Sequence, residues 1–249
     1  MSTRENLNVY QHALSFVRET AGLIEGWHPR HAIADHLPRA ADSVVLNLAE
    51  SVRADSPKQK NKFMDYSLGS VFECAACLDL AVTKTLLAPE KAAESKRRLA
   101  RICGELIGLR KSWSVRSVCE EEAEYPARAA KHRPIFHHER LDAYQVALNV
   151  VKTMDFGALL ESVPAKVFQE YDEPATSMVL NIAEGNGRYA VVDHRRFLGI
   201  ANRSSIRLST LLDLGMAKGL WQDTTGVLQA KGLLERVAKM TRAMLKGNG

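Results

Sequence analysis

The sequence predicts an all-α protein, built as two tandem antiparallel four-helix bundles. Three observations carry that prediction. Apolar residues recur at three- and four-residue spacing along most of the chain, as one buried helix face requires. Alternating β-branched runs between tight turns, the mark of strands, are absent. The second half also rewrites the first at a single offset: "SVVLNLAESVRA" begins at Ser43 and "SMVLNIAEGNGR" at Ser177. Asn47 and Asn181 stand 134 positions apart, and the same step takes Leu7 to Leu141, Tyr10 to Tyr144, Phe63 to Phe197, Ser70 to Ser204 and Lys84 to Lys218. One gapless offset over so long a span points to internal duplication.

Each unit reads as four helices. Asn8 and Asp142 open the first of each, followed three residues later by Gln11 and Gln145, which predicts a capping box. The second helix carries Ala41, Val44, Val45 and Leu48 on one face. "SPKQ" then predicts a start with Ser56 as N-cap and Pro57 in the first turn, and a third helix running to about Leu87. Pro89 opens a fourth, with Leu99, Ile102, Leu106 and Leu109 along one side. The second unit repeats the plan over about 141–160, 173–185, 192–219 and 227–245. The domains expected are therefore 1–115 and 141–249. The stretch 116–140 has two prolines and mixed charge and reads as a linker, with His132, His137 and His138 in solvent.

Composition narrows the function classes. The 249 residues are 46% apolar and 25% charged, values of a globular chain with enough length for two cores. No run approaches the roughly 18 uninterrupted apolar residues of a membrane span. The start, "MSTRENLNVYQ", lacks a signal peptide, so a cytoplasmic location is expected. The net charge of +5 permits nucleic-acid binding without requiring it. Cys74, Cys77, Cys103 and Cys119 are expected as thiols rather than disulfides. The repeat puts Leu208, Leu211 and Val237 opposite the first three, which marks those as core residues.

The initial Leu-x-x-Tyr-Gln-x-Ala helix, the Ser-x-x-x-Asn-Ile-Ala-Glu-Gly helix and the long third helix with Phe and a central Ser resemble a known family. These are the four-helix-bundle proteins encoded in intervening sequences of 23S ribosomal RNA genes, with relatives in the accessory variability determinant of diversity-generating retroelements. The resemblance covers about 7–113 and 141–245, and "LNIAEGNGR" at 180–188 is nearest to the pattern. Each half departs from it in its own way. The first lacks the Gly after Glu50 but keeps Arg39-Ala40, Ser70 and Glu73, whereas the second has Glu173-Pro174 and Arg207 at the corresponding places. The resemblance implies a bundle that self-associates as a homo-oligomer. For the retroelement relatives it implies a basic assembly that binds reverse transcriptase and nucleic acid.

Two sets of polar residues are candidate sites. Ser43, Asn47 and Glu50, like Ser177, Asn181 and Glu184, form a polar stripe at i, i+4, i+7 beside the apolar face. Catalysis would need partners that the sequence does not supply nearby, so a structural or interface layer is expected instead. On the last-but-one helix Arg196, Arg203 and Arg207 point one way, with Arg188 and Arg195 close by, and such a row suits phosphates. Lys58, Lys60 and Lys62 form a second basic group, and Lys96, Arg97, Arg98 and Arg101 a third. No phosphate loop, catalytic triad or zinc spacing appears, and Glu25-Gly-Trp-His28 has no counterpart in the second unit to complete a di-metal site. The expected function is a non-enzymatic accessory or scaffold protein that binds RNA or DNA, without cofactor, metal or membrane. The alternative is a protein–protein interaction and oligomerisation module that binds no nucleic acid.

Overall fold

A computed structural model describes residues 5, 7–113, 134–221 and 224–247. Over these the chain forms α1 (Asn8–Ile24), α2 (Ile33–Arg53), α3 (Pro57–Thr83) and α4 (Pro89–Trp113). After a short 3-10 turn at His137–Arg140 come α5 (Asp142–Thr153), α6 (Phe156–Ser162), α7 (Ala165–Asn186), α8 (Val191–Ala217) and α9 (Thr225–Gly247). No strand occurs among the described residues. The all-α expectation holds.

In the first unit α1 packs on α2 and α4, α2 on α3, and α3 on α4, which closes a ring of four. In the second, α5 packs on α7 and α9, α7 on α8, and α8 on α9. Setting α5, α7, α8 and α9 against α1–α4 gives the same ring. Short connections between neighbours make both up-down bundles.

Several local expectations hold. Ser56 Oγ accepts the Gln59 N–H at 3.2 Å with Pro57 in the first turn, and α4 begins at Pro89. Others need correction. Leu7 and Leu141, not Asn8 and Asp142, are the N-caps, and neither can accept through its side chain. Gln11 and Gln145 instead reach back to the Glu5 and Glu139 carbonyls. The third helix stops at Thr83 because Thr85 turns left-handed at φ 58° and the Leu86 N–H bonds the Ala81 carbonyl at 2.8 Å. Gly219 and the Leu220 N–H close α8 identically, a Schellman-type stop that relieves the last carbonyls.

The second unit departs more. Its first helix breaks at Asp155, which is left-handed at φ 42° and caps Ala158. Its second starts at Ala165, not near Glu173, with Pro174 inside it. A proline costs a helix one N–H, but buried Phe168, Tyr171 and Asp172 hold the turns before it against the core.

The two rings are not independent solids. α3 packs on α7 and α5, the 3-10 turn packs on α7, and one apolar cluster runs through both units. Residues 116–133 of the expected linker lie outside the described residues. The remainder is docked: Phe136 and His138 are buried, with the Phe136 ring 5.4 Å from Phe72. His138 is therefore not solvated, and its depressed imidazole pKa, well below the usual value, follows first from burial and then from nearby Lys96. Of the described helices α3 alone has the length and hydropathy of a membrane span, yet 72% of that window is buried inside the protein. It is the central helix of the molecule.

Candidate functional site

The polar stripe is the same network written twice. Asn47 Nδ2 donates to the Ser43 carbonyl at 2.8 Å and to Ser43 Oγ at 3.0 Å, and Ser43 Oγ lies 2.7 Å from Ser70 Oγ on α3. Asn181 donates to the Ser177 carbonyl at 2.7 Å and to its Oγ at 3.2 Å, and Ser177 meets Ser204 on α8 at 3.0 Å. The stripe thus ties the second helix of each ring to the third, which is a structural role. Asn47→Ala and Asn181→Ala should each cost about 1 kcal/mol, since the serine pair survives and only the amide's bonds are removed. Matching losses in thermal melts are the expected result, and unchanged melts for both would show that the amides contribute nothing to register.

Glu50 and Glu184 part company. Glu50 is exposed at the outer face of α2. Glu184 sits between the units, ion-paired to Arg188. Burial, and then the nearby Glu73 carboxylate, push its pKa up to about 7 despite the Arg188 charge.

Arg188 must be corrected as a phosphate ligand. Its side chain is only 6% exposed, donates to the Asp65 carbonyl at 3.0 Å and lies over Tyr66 and Phe197. It fills the space left by Gly69, where a Cβ would lie 2.4 Å from the guanidinium carbon. Arg195, Arg196, Arg203 and Arg207 are exposed on α8, with Arg196 resting on Phe197. In the first unit Lys60 and Lys62 lie over Trp113 and Tyr66. The third basic group does not form a free patch: Lys96 is buried, Arg98 pairs with Glu19 and Glu94, and Arg101 with Glu105.

Two buried charge clusters escaped the sequence reading, because their members come from distant segments. Lys84 at the end of α3 is ion-paired with Asp172 on α7, both side chains wholly buried, and also reaches Thr176 Oγ1 at 3.1 Å. Asp172 accepts the Ala32 N–H at 2.7 Å. Burial pulls the Lys84 ammonium below its usual pKa. Against the pull of burial, Lys84 and the other donors hold Asp172 below its own. In the second cluster Lys96 bonds Asp79 at 2.6 Å and Glu139 at 2.9 Å, and Tyr144 donates to Asp79 at 2.9 Å. Asp79, His138 and Glu139 have ligand atoms close enough to share a metal ion, but the Lys96 ammonium already occupies the carboxylates as their cation.

A cavity of about 270 Å³ lies between α3, the 3-10 turn and the end of α7, lined by Leu68, Phe72, His137, Asn186, Gly187, Arg188 and Tyr189. It holds no pairing of nucleophile and base. Cys74, Cys77 and Cys103 are buried thiols, and burial raises the first two well above the usual thiol pKa, which makes them unreactive packing groups. Cys119 lies outside the described residues.

Large apolar side chains stand exposed on three helices: Leu46 on α2, Val191, Val192, Ile206 and Leu214 on α8, and Leu228 on α9. A ring of four helices with a polar layer and mixed apolar–charged outer faces defines a helical-bundle module. Residues 5–108 match the 23S rRNA-intervening sequence protein family. The matched span ends before α5. No curated protein and no solved structure matches the chain.

Proposed function

We propose that the protein is a non-enzymatic, cytoplasmic accessory protein that binds RNA or DNA through α8. The observation that carries this reading is the row of exposed arginines Arg196, Arg203 and Arg207 on one face of α8, with exposed Arg195 beside it. The acids of that helix are few: Asp193 in its first turn, and Asp213, which is paired with Lys231. Guanidinium groups suit phosphate oxygens, and each contact releases condensed counterions. Binding should therefore weaken steeply with salt. Replacing all four with Ala should lower the log–log salt slope by about one for every phosphate left without its arginine. Wild-type protein that binds neither RNA nor DNA at low salt would remove this reading.

One observation favours a second reading, a protein-binding module. Ile206 and Leu214 are exposed among those arginines, and Leu46 is exposed on the opposite unit. Aliphatic side chains contribute nothing to phosphate binding.

A further inference from the structure

The contact between the units is one-sided: helix three of the first ring meets helix two of the second. The two helices run antiparallel, since Gly69 and Phe72, midway along α3, meet Arg188 and Gly187 at the end of α7. At the other end Lys84 meets Asp172 and Thr176. The stripe of α3 facing α7 is therefore Gly69, Phe72, Ala76, Leu80 and Lys84. The stripe of α7 facing α3 is Thr176, Leu180, Ala183 and Gly187. All of these are buried.

Stepping by 134 positions converts each stripe into its counterpart on the other ring. Gly69, Phe72, Ala76, Leu80 and Lys84 become Arg203, Ile206, Thr210, Leu214 and Lys218 on α8. Every one of these is exposed. Leu80 is 0% accessible and Leu214 48%; Phe72 is 3% and Ile206 47%. Thr176, Leu180 and Gly187 become Asp42, Leu46 and Arg53 on α2, again all exposed, with Leu180 at 2% and Leu46 at 65%. The chain thus buries one half of each complementary pair and leaves the other half bare, one on α2 and one on α8.

We propose that α8 of one molecule docks on α2 of a second copy in the geometry by which α3 docks on α7, so that copies join head to tail. The bare faces carry changes that fit them to each other. Where Gly69 makes room for Arg188, the outer contact pairs Arg203 with the small Ala54. Where Glu73 presses on Glu184, it pairs Arg207 with Glu50, turning a repulsion into an attraction. Where Lys84 reaches Thr176, it pairs Lys218 with Asp42. Ile206 takes the place of Phe72 and meets Arg53, whose methylene stem can cover it. Such a contact is heterologous: it uses two different surfaces, so copies add head to tail until a ring closes or continue as a filament. It takes Arg203 and Arg207 into the interface, so a second copy and nucleic acid would compete for these two arginines, whereas Arg196, at the position matching exposed Lys62, lies outside it. The proposal does not rest on the nucleic-acid reading, and its test contains none.

The test uses two single variants of the full chain, Leu46→Glu and Leu214→Glu, with light scattering after size exclusion as the readout. Both positions are exposed in the single chain, so helical circular dichroism should match the wild type. Wild type should run above its monomer mass of 27.6 kDa. Each variant alone should be a monomer, because each keeps only one of the two surfaces. Mixed in equal amounts, they should form a complex of two chains and stop there, since the intact α8 of one fits the intact α2 of the other. A monomeric wild type would overturn the proposal. So would a variant that dimerises alone, which would reveal a like-with-like contact, or a mixture that stays monomeric. Glu50→Arg and Arg207→Glu should each weaken assembly, and the two together should restore it. A double variant no better than the singles would count against the register.

Discussion

Lys84→Met should destabilise the protein by roughly 3–5 kcal/mol, the largest loss expected of any single substitution here. The Lys84 side chain is wholly buried against Asp172. Its removal leaves that carboxylate in the interior with the Ala32 N–H as its close donor and the His31 ring nitrogen 3.9 Å away. The desolvation of an unpaired charge then falls wholly on the folded state. Adding Asp172→Leu should recover most of the loss, because an apolar pair of similar volume carries no such penalty. Denaturant unfolding measures both. A single variant within about 1 kcal/mol of wild type would mean that water reaches the site. The pair joins α3 to α7, so its strength is also the strength with which the two rings hold together.

The second large effect is a dependence on pH. Glu184 has a folded pKa of about 7, against an ordinary value of 4.5. Between those values the folded protein holds a proton that the unfolded chain has released. The contribution to stability is therefore fully present below about pH 4.5 and lost as the pH rises through about 7. A displacement of this size corresponds to at most about 3 kcal/mol. His138 acts in the opposite sense: buried neutral, with a lowered pKa, it contributes stability that fades as the pH falls below the ordinary imidazole range. The wild-type curve mixes the two. The difference between wild type and Glu184→Gln isolates the carboxylate, and that difference should decline by up to about 3 kcal/mol from about pH 5 to about pH 8. A flat difference would show that Arg188 keeps Glu184 ionised throughout.

Most of the architecture was legible because it rests on local pattern. The 3.6-residue periodicity, Ser56-Pro57, Pro89 and the constant offset all act within one helix or compare like with like, and the helices appear where those signals place them. The failures were also local in cause. Pro174 looks like a helix start, and only the buried residues ahead of it show that the helix continues through. Asp155 breaks a helix that its apolar spacing would extend. The register role of Asn47 and Asn181 could be read from their position beside the apolar face. The burial of Arg188 could not, because it depends on Gly69, more than a hundred positions away and on another helix. The same is true of Lys84 with Asp172 and of Lys96 with Glu139. Sequence spacing identifies which residues share a helix face, but not which faces meet.

The enclosure of α3 has a consequence for how the chain is made. Phe72, Ala76 and Leu80 lean on a helix whose matching stripe, from Thr176 to Gly187, is about a hundred residues further along. At roughly 5–20 residues per second, that stripe emerges about 5–20 s after α3. A four-helix ring assembles from local contacts in far less time. The first ring therefore waits, complete but with an oily flank bare, for its second half to be translated. During that interval the growing polypeptide is a substrate for holding chaperones and for sticking to its neighbours on the same message. Yield in the cell will accordingly depend on translation speed between α4 and α7 as well as on the stability of the finished fold.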